Sequence, residues 1–262
     1  MNILEKIAAR TQERTEENKK TAPLEKVKEK AEQLHINQDF TFEKALRGHD
    51  MAFICEIKKA SPSKGIIAEN FPYLQIAKDY EAAGAAAISV LTEPFWFKGD
   101  DRYLREIADT VSIPLLRKDF IVDEYMIYEA KILGASAVLL ICSILDNGIL
   151  ADYIHIAHSI GLSALVESHD ESEVTAALNA GAKIIGVNNR NLKTFEMDIT
   201  LSERLRPHVP EDKIFISESG IQTPADVARL REIGASAVLI GETLMRSSDK
   251  SAELKRLRGE LC

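Results

Sequence analysis

Four short segments of this chain share one pattern: Ala83-Gly84-Ala85-Ala86, Leu133-Gly134-Ala135-Ser136, Ala180-Gly181-Ala182-Lys183 and Ile233-Gly234-Ala235-Ser236, each running straight into an apolar stretch. The four glycines recur about every 50 residues, the length of two strand-helix units. Glycine just after a helical pattern is a stop signal, because it takes the left-handed conformation without strain. Each segment therefore marks a helix handing over to a strand. Four more strand-like runs lie between these, and interleaving gives eight: residues 53–58, 86–92, 114–120, 137–143, 163–168, 184–189, 214–219 and 237–241, with amphipathic helical patterns such as 73–83 and 223–233 between them. Strands alternating with helices imply parallel pairing, and four equivalent double units close naturally on themselves. The expected fold is α/β, a closed (β/α)8 barrel. An open doubly wound sheet is the alternative, and no GxGxxG follows the first strand to suggest a dinucleotide.

At 262 residues and 45% hydrophobic content the chain can bury one full core. Residues 1–48 precede the barrel: 6–30 are dense in Lys and Glu with apolar punctuation at Ile3, Ile7, Leu24 and Val27, and 41–46 reads as a short helix. The expectation is an N-terminal helical extension (1–48) packed over one end of a barrel (49–262), a single domain overall. No stretch is long and apolar enough for a membrane span, and the N-terminus lacks the cationic start and apolar block of a secretion signal. Cys55, Cys142 and Cys262 form no CxxC pair, which suits reduced thiols and a cytoplasmic location. The net charge of −8 argues against non-specific nucleic-acid binding. His155 and His158 lack an acidic third ligand at a familiar spacing, so no metal is expected.

In such a barrel the site lies at the C-terminal ends of the strands. Side chains two apart on a strand share a face, so Glu56 and Lys58 sit together where a strand would ordinarily carry Val or Leu. Burying such charges costs several kcal/mol each unless they are paired, which points either to a site or to a solvated edge strand. The other strand ends favour a site: Ser61 after the first, Arg117, Lys118 and Asp119 on the third, Glu167 and Ser168 on the fifth, Asn188, Asn189 and Arg190 on the sixth, Glu218, Ser219 and Gly220 on the seventh. The run Glu93-Pro94-Phe95-Trp96-Phe97 after the second strand suggests either a substrate with a ring or a hydrophobic plug. The turns Ser219-Gly220 and Gly241-Glu242 follow the last two strands, where barrels commonly hold phosphate. Lys58 and Lys118 suit either Schiff-base formation or acid catalysis, and Glu56 with Glu167 suits a base and its partner. The connection from Lys59 to about Pro72 is long enough to be a lid.

Several of these runs resemble the indole-3-glycerol phosphate synthase family over almost the whole chain. They are Glu56-Ile57-Lys58-Lys59-Ala60-Ser61-Pro62-Ser63-Lys64-Gly65, Leu116-Arg117-Lys118-Asp119-Phe120, Leu165-Val166-Glu167, Gly186-Val187-Asn188-Asn189-Arg190-Asn191-Leu192 and Ser217-Glu218-Ser219-Gly220. The resemblance implies a cofactor-free lyase that turns 1-(2-carboxyphenylamino)-1-deoxyribulose 5-phosphate into indole-3-glycerol phosphate by ring closure, decarboxylation and dehydration. It further implies Lys118 as the acid of ring closure, Glu167 as a base in dehydration, Lys58 as holder of the substrate carboxylate and later proton donor, and Glu56 as its orienter. Asn188 and Arg190 would hold the carboxylate and hydroxyls; Ser219, Gly220 and Gly241 the phosphate; Phe97 and Phe120 the ring, with Ser61 also on the substrate. The run Pro94 to Asp100 departs from the family's Tyr-Phe-x-Gly-Ser pattern, which leaves Phe95 and Trp96 as rivals to Phe97. The implied partner is a small phosphorylated aromatic molecule, with no nucleic acid or membrane, and the implied assembly is a monomer or weak homodimer that can associate with other tryptophan-pathway enzymes. A Schiff-base aldolase-type barrel and a non-catalytic barrel serving as an assembly partner remain the alternatives.

Overall fold

The computed structural model describes residues 2–36, 39–191 and 194–260. Leu192 and Cys262, used in the sequence reading, lie outside them. Eight parallel strands form a closed barrel: β1 (Ala52–Ile57), β2 (Ala87–Leu91), β3 (Leu115–Lys118), β4 (Ala137–Ile141), β5 (Ser163–Ser168), β6 (Ile184–Asn188), β7 (Ile214–Glu218) and β8 (Ala237–Ile240), the last pairing back onto β1. Most strands end one or two residues earlier than the sequence suggested. Cys142, for instance, opens a 3-10 turn (Cys142–Ile144) instead of extending β4, because the chain must turn there toward the next helix.

The helices that cover the outside are α4 (Tyr73–Ala82), α5 (Asp101–Ala108), α6 (Glu124–Ile132), α7 (Asn147–Ser159), α8 (Glu171–Asn179), α9 (Thr200–Leu205), α10 (Pro224–Glu232), α11 (Glu242–Arg246) and α12 (Lys250–Arg258). Aspartate or threonine caps most of their starts; Asp100, Asp123, Asp146 and Asp170 each accept from a backbone N–H of the first turn. The repeated glycines 84, 134, 181 and 234 all have φ between 78° and 89°, the helix-ending conformation the repeat implied.

Strand periodicity sorts the core into two layers. Phe53, Cys55 and Ile57 of β1 face the helices, whereas Ala52 and Ile54 face the barrel interior, and the same alternation holds around the barrel. Within the barrel Ile54, Leu116, Leu165 and Ile216, one from each odd-numbered strand, are fully buried, as alternate-strand filling of such barrels requires.

Three helices precede the barrel: α1 (Ile3–Thr21), α2 (Leu24–Gln33) and α3 (Thr41–Arg47). They do more than cover one end. Asn2 and Glu5 form a reciprocal capping box that starts α1. This helix is fastened to the strand-end side by Arg14 to Asp119 (2.9 Å) and Lys19 to Asp123 (2.6 Å), and its Leu4 and Ile7 are buried with Phe120 and Ile141. Pro23 breaks the charged run, and α2 then lies along α6. α3 plugs the opposite end, where its Glu43 reaches Ser163 at the start of β5 (3.4 Å). Seven residues make a marginal helix alone, but burying Phe42 and Leu46 completely contributes roughly 1.5–3 kcal/mol each. No helix among the described residues is long and apolar enough to cross a membrane.

Candidate functional site

Two residues beyond each apolar interior residue of the odd strands stands a charged one: Glu56 after Ile54, Lys118 after Leu116, Glu167 after Leu165 and Glu218 after Ile216. Period-two alternation sends all four inward, so the interior ends in a charged layer at the strand tips. Lys118 Nζ lies 2.5 Å from Glu218 Oε2 and 3.3 Å from Glu167 Oε2. Lys58 Nζ pairs with Glu56 Oε2. Asn188 Nδ2 donates to Glu167 Oε1 at 3.2 Å.

These groups form the floor of a cavity of about 720 Å³ that opens at the C-terminal ends of the strands. The twelve residues to which the family resemblance gives roles all line it: Glu56, Lys58, Ser61, Phe97, Lys118, Phe120, Glu167, Asn188, Arg190, Ser219, Gly220 and Gly241. Phe97 and Phe120 lie together on one wall, ring centroids 5.8 Å apart. Phe97 is aimed there by Glu93, whose fully buried carboxylate accepts the backbone N–H groups of Phe95, Trp96 and Phe97 at 2.7–2.9 Å. Folding that loop around one carboxylate turns Phe95 outward, under the Arg10 guanidinium, so of the three aromatic candidates Phe97 alone lines the cavity.

Across the mouth, the turns after β7 and β8 present backbone at close range. Ser219 and Gly220 both have positive φ, 68° and 81°, and the serine's left-handed conformation costs on the order of 1 kcal/mol, held by Asn189 Nδ2 donating to its carbonyl (3.1 Å). At Gly241 a Cβ would collide with the Glu56 carboxylate and come to 3.0 Å from Lys58 Nζ, so any other residue there would push the Glu56 to Lys58 pair out of place. Three cations, Lys64 (3.9 Å), Arg190 (4.0 Å) and Arg246 (3.0 Å), share the single Glu242 carboxylate there and leave a surplus of positive charge. The connection after β1 folds into a two-stranded ribbon, Ala60–Ser61 with Gly65–Ile66, that leans over this side: Arg190 donates to Ser63 Oγ at 3.2 Å.

The charged layer perturbs itself. Burial pushes the Lys118 ammonium down, but Glu218, Glu167 and Glu56 outweigh that and raise it above its ordinary 10.5. Burial pushes Glu167 up, yet Lys118 and the contacts from His169 and Asn188 bring it down to about 2. For Glu218 burial wins, aided by Glu167 against Lys118, and its carboxyl rises to about 7. One ammonium thus sits between an ionised carboxylate and one poised near neutrality, the unequal pair that proton transfer requires.

Not every charged strand end converges. Arg117 points outward, fully buried between sheet and helices, where it donates to Met126 O (2.9 Å), Asp101 (2.8 Å) and Glu129 (2.7 Å). Ser168 and Asn189 also face outward, toward Cys142 and toward Ser202 and Ser217, because each is one residue out of step with the inward face. Glu218, named among the strand ends but without a role, stands on the floor beside Lys118, in step with Ile214 and Ile216. Leu4 and Ile7 of α1 and Leu139 and Ile141 of β4 complete the apolar wall. No local pattern announces that residues so near the N-terminus reach the barrel mouth.

A family model described as "Indole-3-glycerol phosphate synthase" matches residues 4–257. Among curated proteins, the chain is similar to the indole-3-glycerol phosphate synthase of Ruminiclostridium cellulolyticum, 62% identical over 98% of this chain and 99% of that one. It is 50% identical to that of Lachnoclostridium phytofermentans over 99% and 100% of the respective chains. Among solved structures, a 3-hexulose-6-phosphate synthase covers 81% of this chain and 100% of its own at a TM-score of 0.63 and 15% identity, a likeness of fold alone.

Proposed function

The chain belongs to the indole-3-glycerol phosphate synthase family, and from that premise we propose that its barrel mouth closes the indole ring of 1-(2-carboxyphenylamino)-1-deoxyribulose 5-phosphate as a carbon-carbon lyase that releases carbon dioxide and then water. The observation that carries this reading is the Lys118 ammonium held by Glu167 and Glu218 on the floor of a cavity with an aromatic wall on one side and surplus cations on the other.

The substrate's ring lies against Phe97 and Phe120, and its phosphate at the Ser219-Gly220 and Gly241 turns near Arg246. Lys58, oriented by Glu56, holds the ring carboxylate, with Asn188 and Arg190 on the carboxylate and hydroxyls and Ser61 at the rim. The ring carbon that bears the carboxylate attacks the ketone carbon. Charge builds on the ketone oxygen, and the Lys118 ammonium stabilises that oxygen and gives it a proton; this help is larger in the transition state than in the ground state. Attack leaves the ring cationic at its nitrogen, and as carbon dioxide leaves, the electrons of the broken bond restore the aromatic ring. The substrate's own nitrogen supplies the electron sink, so the chemistry asks for no cofactor. The hydroxyl then departs with a proton from Lys58, while Glu167, ionised down to about pH 2, takes the proton released from the forming indole.

A Schiff base on Lys118 would need a neutral amine, and its neighbours hold it protonated. Borohydride added during turnover should therefore leave no adduct on Lys118. A cytoplasmic monomer or weak homodimer is the setting we propose for this small-molecule reaction. The decisive measurement is the appearance of indole fluorescence when the carboxyphenylamino substrate is added; folded protein without that signal rejects the reading.

A further inference from the structure

His169, the first residue past β5, takes part in none of the steps above, yet it is pinned in place. Its backbone N–H (2.7 Å) and its Nδ1 (3.0 Å) both meet Glu173 Oε2, one turn into α8. This double hold turns the other ring nitrogen toward the site: Nε2 makes no regular hydrogen bond and faces Glu167 Oε1 at 3.3 Å. Glu167 Oε2 looks at Lys118, and its Oε1 also accepts from Asn188. We propose that His169 is a positioning residue, a cationic tether anchored by Glu173 that fixes the Glu167 carboxylate in orientation and keeps it ionised for proton removal.

The surroundings fit a permanent imidazolium. Burial alone would push it down, but the carboxylates of Glu167 and Glu173 outweigh burial and bring it up to about 10. Asp170 lies beside it, and Arg190, Glu196, Asp198 and Arg204 line the same recess of about 490 Å³, so carboxylates balance the cations around the ring. Hydrogen bonds around catalytic groups are often long or poorly aligned before substrate arrives and tighten in the reacting complex. Because a cation faces Glu167 at 3.3 Å here, losing it frees the carboxylate to turn and raises its pKa while leaving ring, carboxylate and phosphate contacts in place.

The inference rests on Glu167 acting as the base, and the test separates the two. In His169→Gln the amide keeps a donor but no charge, and in Glu173→Gln the anchor loses its charge. Turnover number should fall roughly tenfold in His169→Gln and less in Glu173→Gln, with KM held within about twofold. The acidic limb of the turnover-pH profile should move toward neutrality by about one unit, since removing a neighbouring cation raises a carboxyl pKa. Independently of turnover, nitrogen NMR of the intact protein should find the His169 ring doubly protonated at pH 8, and neutral there in Glu173→Gln. An unmoved acidic limb in the folded variants, or a His169 ring already neutral at pH 7, overturns the tether. Absence of turnover in the unmodified protein overturns the proposed reaction instead, and the NMR titration still judges the tether.

Discussion

Replacing Lys118 with methionine removes the one cation that holds Glu167 and Glu218 together while keeping the length and much of the volume of the side chain. Two separate losses follow. The reaction loses its donor to the ketone oxygen: an oxyanion donor is worth about 10²–10³ in rate and a general acid about 10²–10⁴, so turnover should fall by at least roughly 10³. The phosphate and ring contacts are untouched, and KM should stay within about threefold. Stability also changes, with a pH signature. In the parent, Glu167 sits at about 2 against an ordinary 4.5. A depressed carboxyl stabilises the fold fully above its unfolded value and loses that contribution as pH falls from 4.5 through 2. At 1.36 kcal/mol per unit the shift corresponds to about 3 kcal/mol, in line with the roughly 3–5 kcal/mol cost of stripping one partner from a buried pair. Without Lys118 the Glu167 carboxyl rises, so the variant should be less stable than the parent by up to about 3 kcal/mol at pH 7, His169 and Asn188 supplying part of the depression, and by about half of that or less near pH 3, where the parent carboxyl has begun to lose its advantage. Urea denaturation at the two pH values reads the stability, and indole fluorescence reads the rate. Turnover within tenfold of the parent, or an equal stability loss at both pH values, would refute the reasoning.

Phe97→Ala should raise KM roughly tenfold with a smaller effect on turnover, since it removes one aromatic wall worth about 1–1.5 kcal/mol beyond its area, whereas Phe95→Ala should change neither; equal effects in steady-state kinetics would contradict the assignment of the ring to Phe97. Gly241→Ala drives a methyl into the Glu56 carboxylate and should abolish most turnover with the far-ultraviolet dichroism spectrum unchanged. A short chemical cross-link between cysteines introduced at Lys64 and Glu242 should slow turnover strongly if the ribbon after β1 opens and closes over substrate; comparable rates before and after linking would remove the lid role.

The repeat of glycines at 84, 134, 181 and 234, with the strand-like runs between its members, pointed to the barrel, because it reports on helix ends and strand starts, which are local properties of the chain. The same kind of local rule, two residues per repeat along a strand, put Glu56 and Lys58 on one face, while Lys118 and Glu167 were legible as charges at strand ends and from the family resemblance. Position at a strand end alone does not tell inward from outward: Arg117, Ser168 and Asn189 stand one step out of phase, and the structure buries them behind the sheet. Glu218 was in phase, yet its place beside Lys118 depends on β7 and β3 meeting across the barrel, 100 residues apart in sequence. The choice of Phe97 over Phe95 and Trp96 was likewise beyond the sequence, because it turns on how three backbone N–H groups wrap the Glu93 carboxylate. So too were the reach of Leu4 and Ile7 into the mouth and the aim of His169 at Glu167. Sequence determines which face each strand residue takes, since that follows from backbone geometry one residue at a time. Only barrel closure decides which inward charges meet, and the unequal ionisation of Glu167 and Glu218 arises from that meeting, in a place where water is scarce and one ammonium must serve two carboxylates.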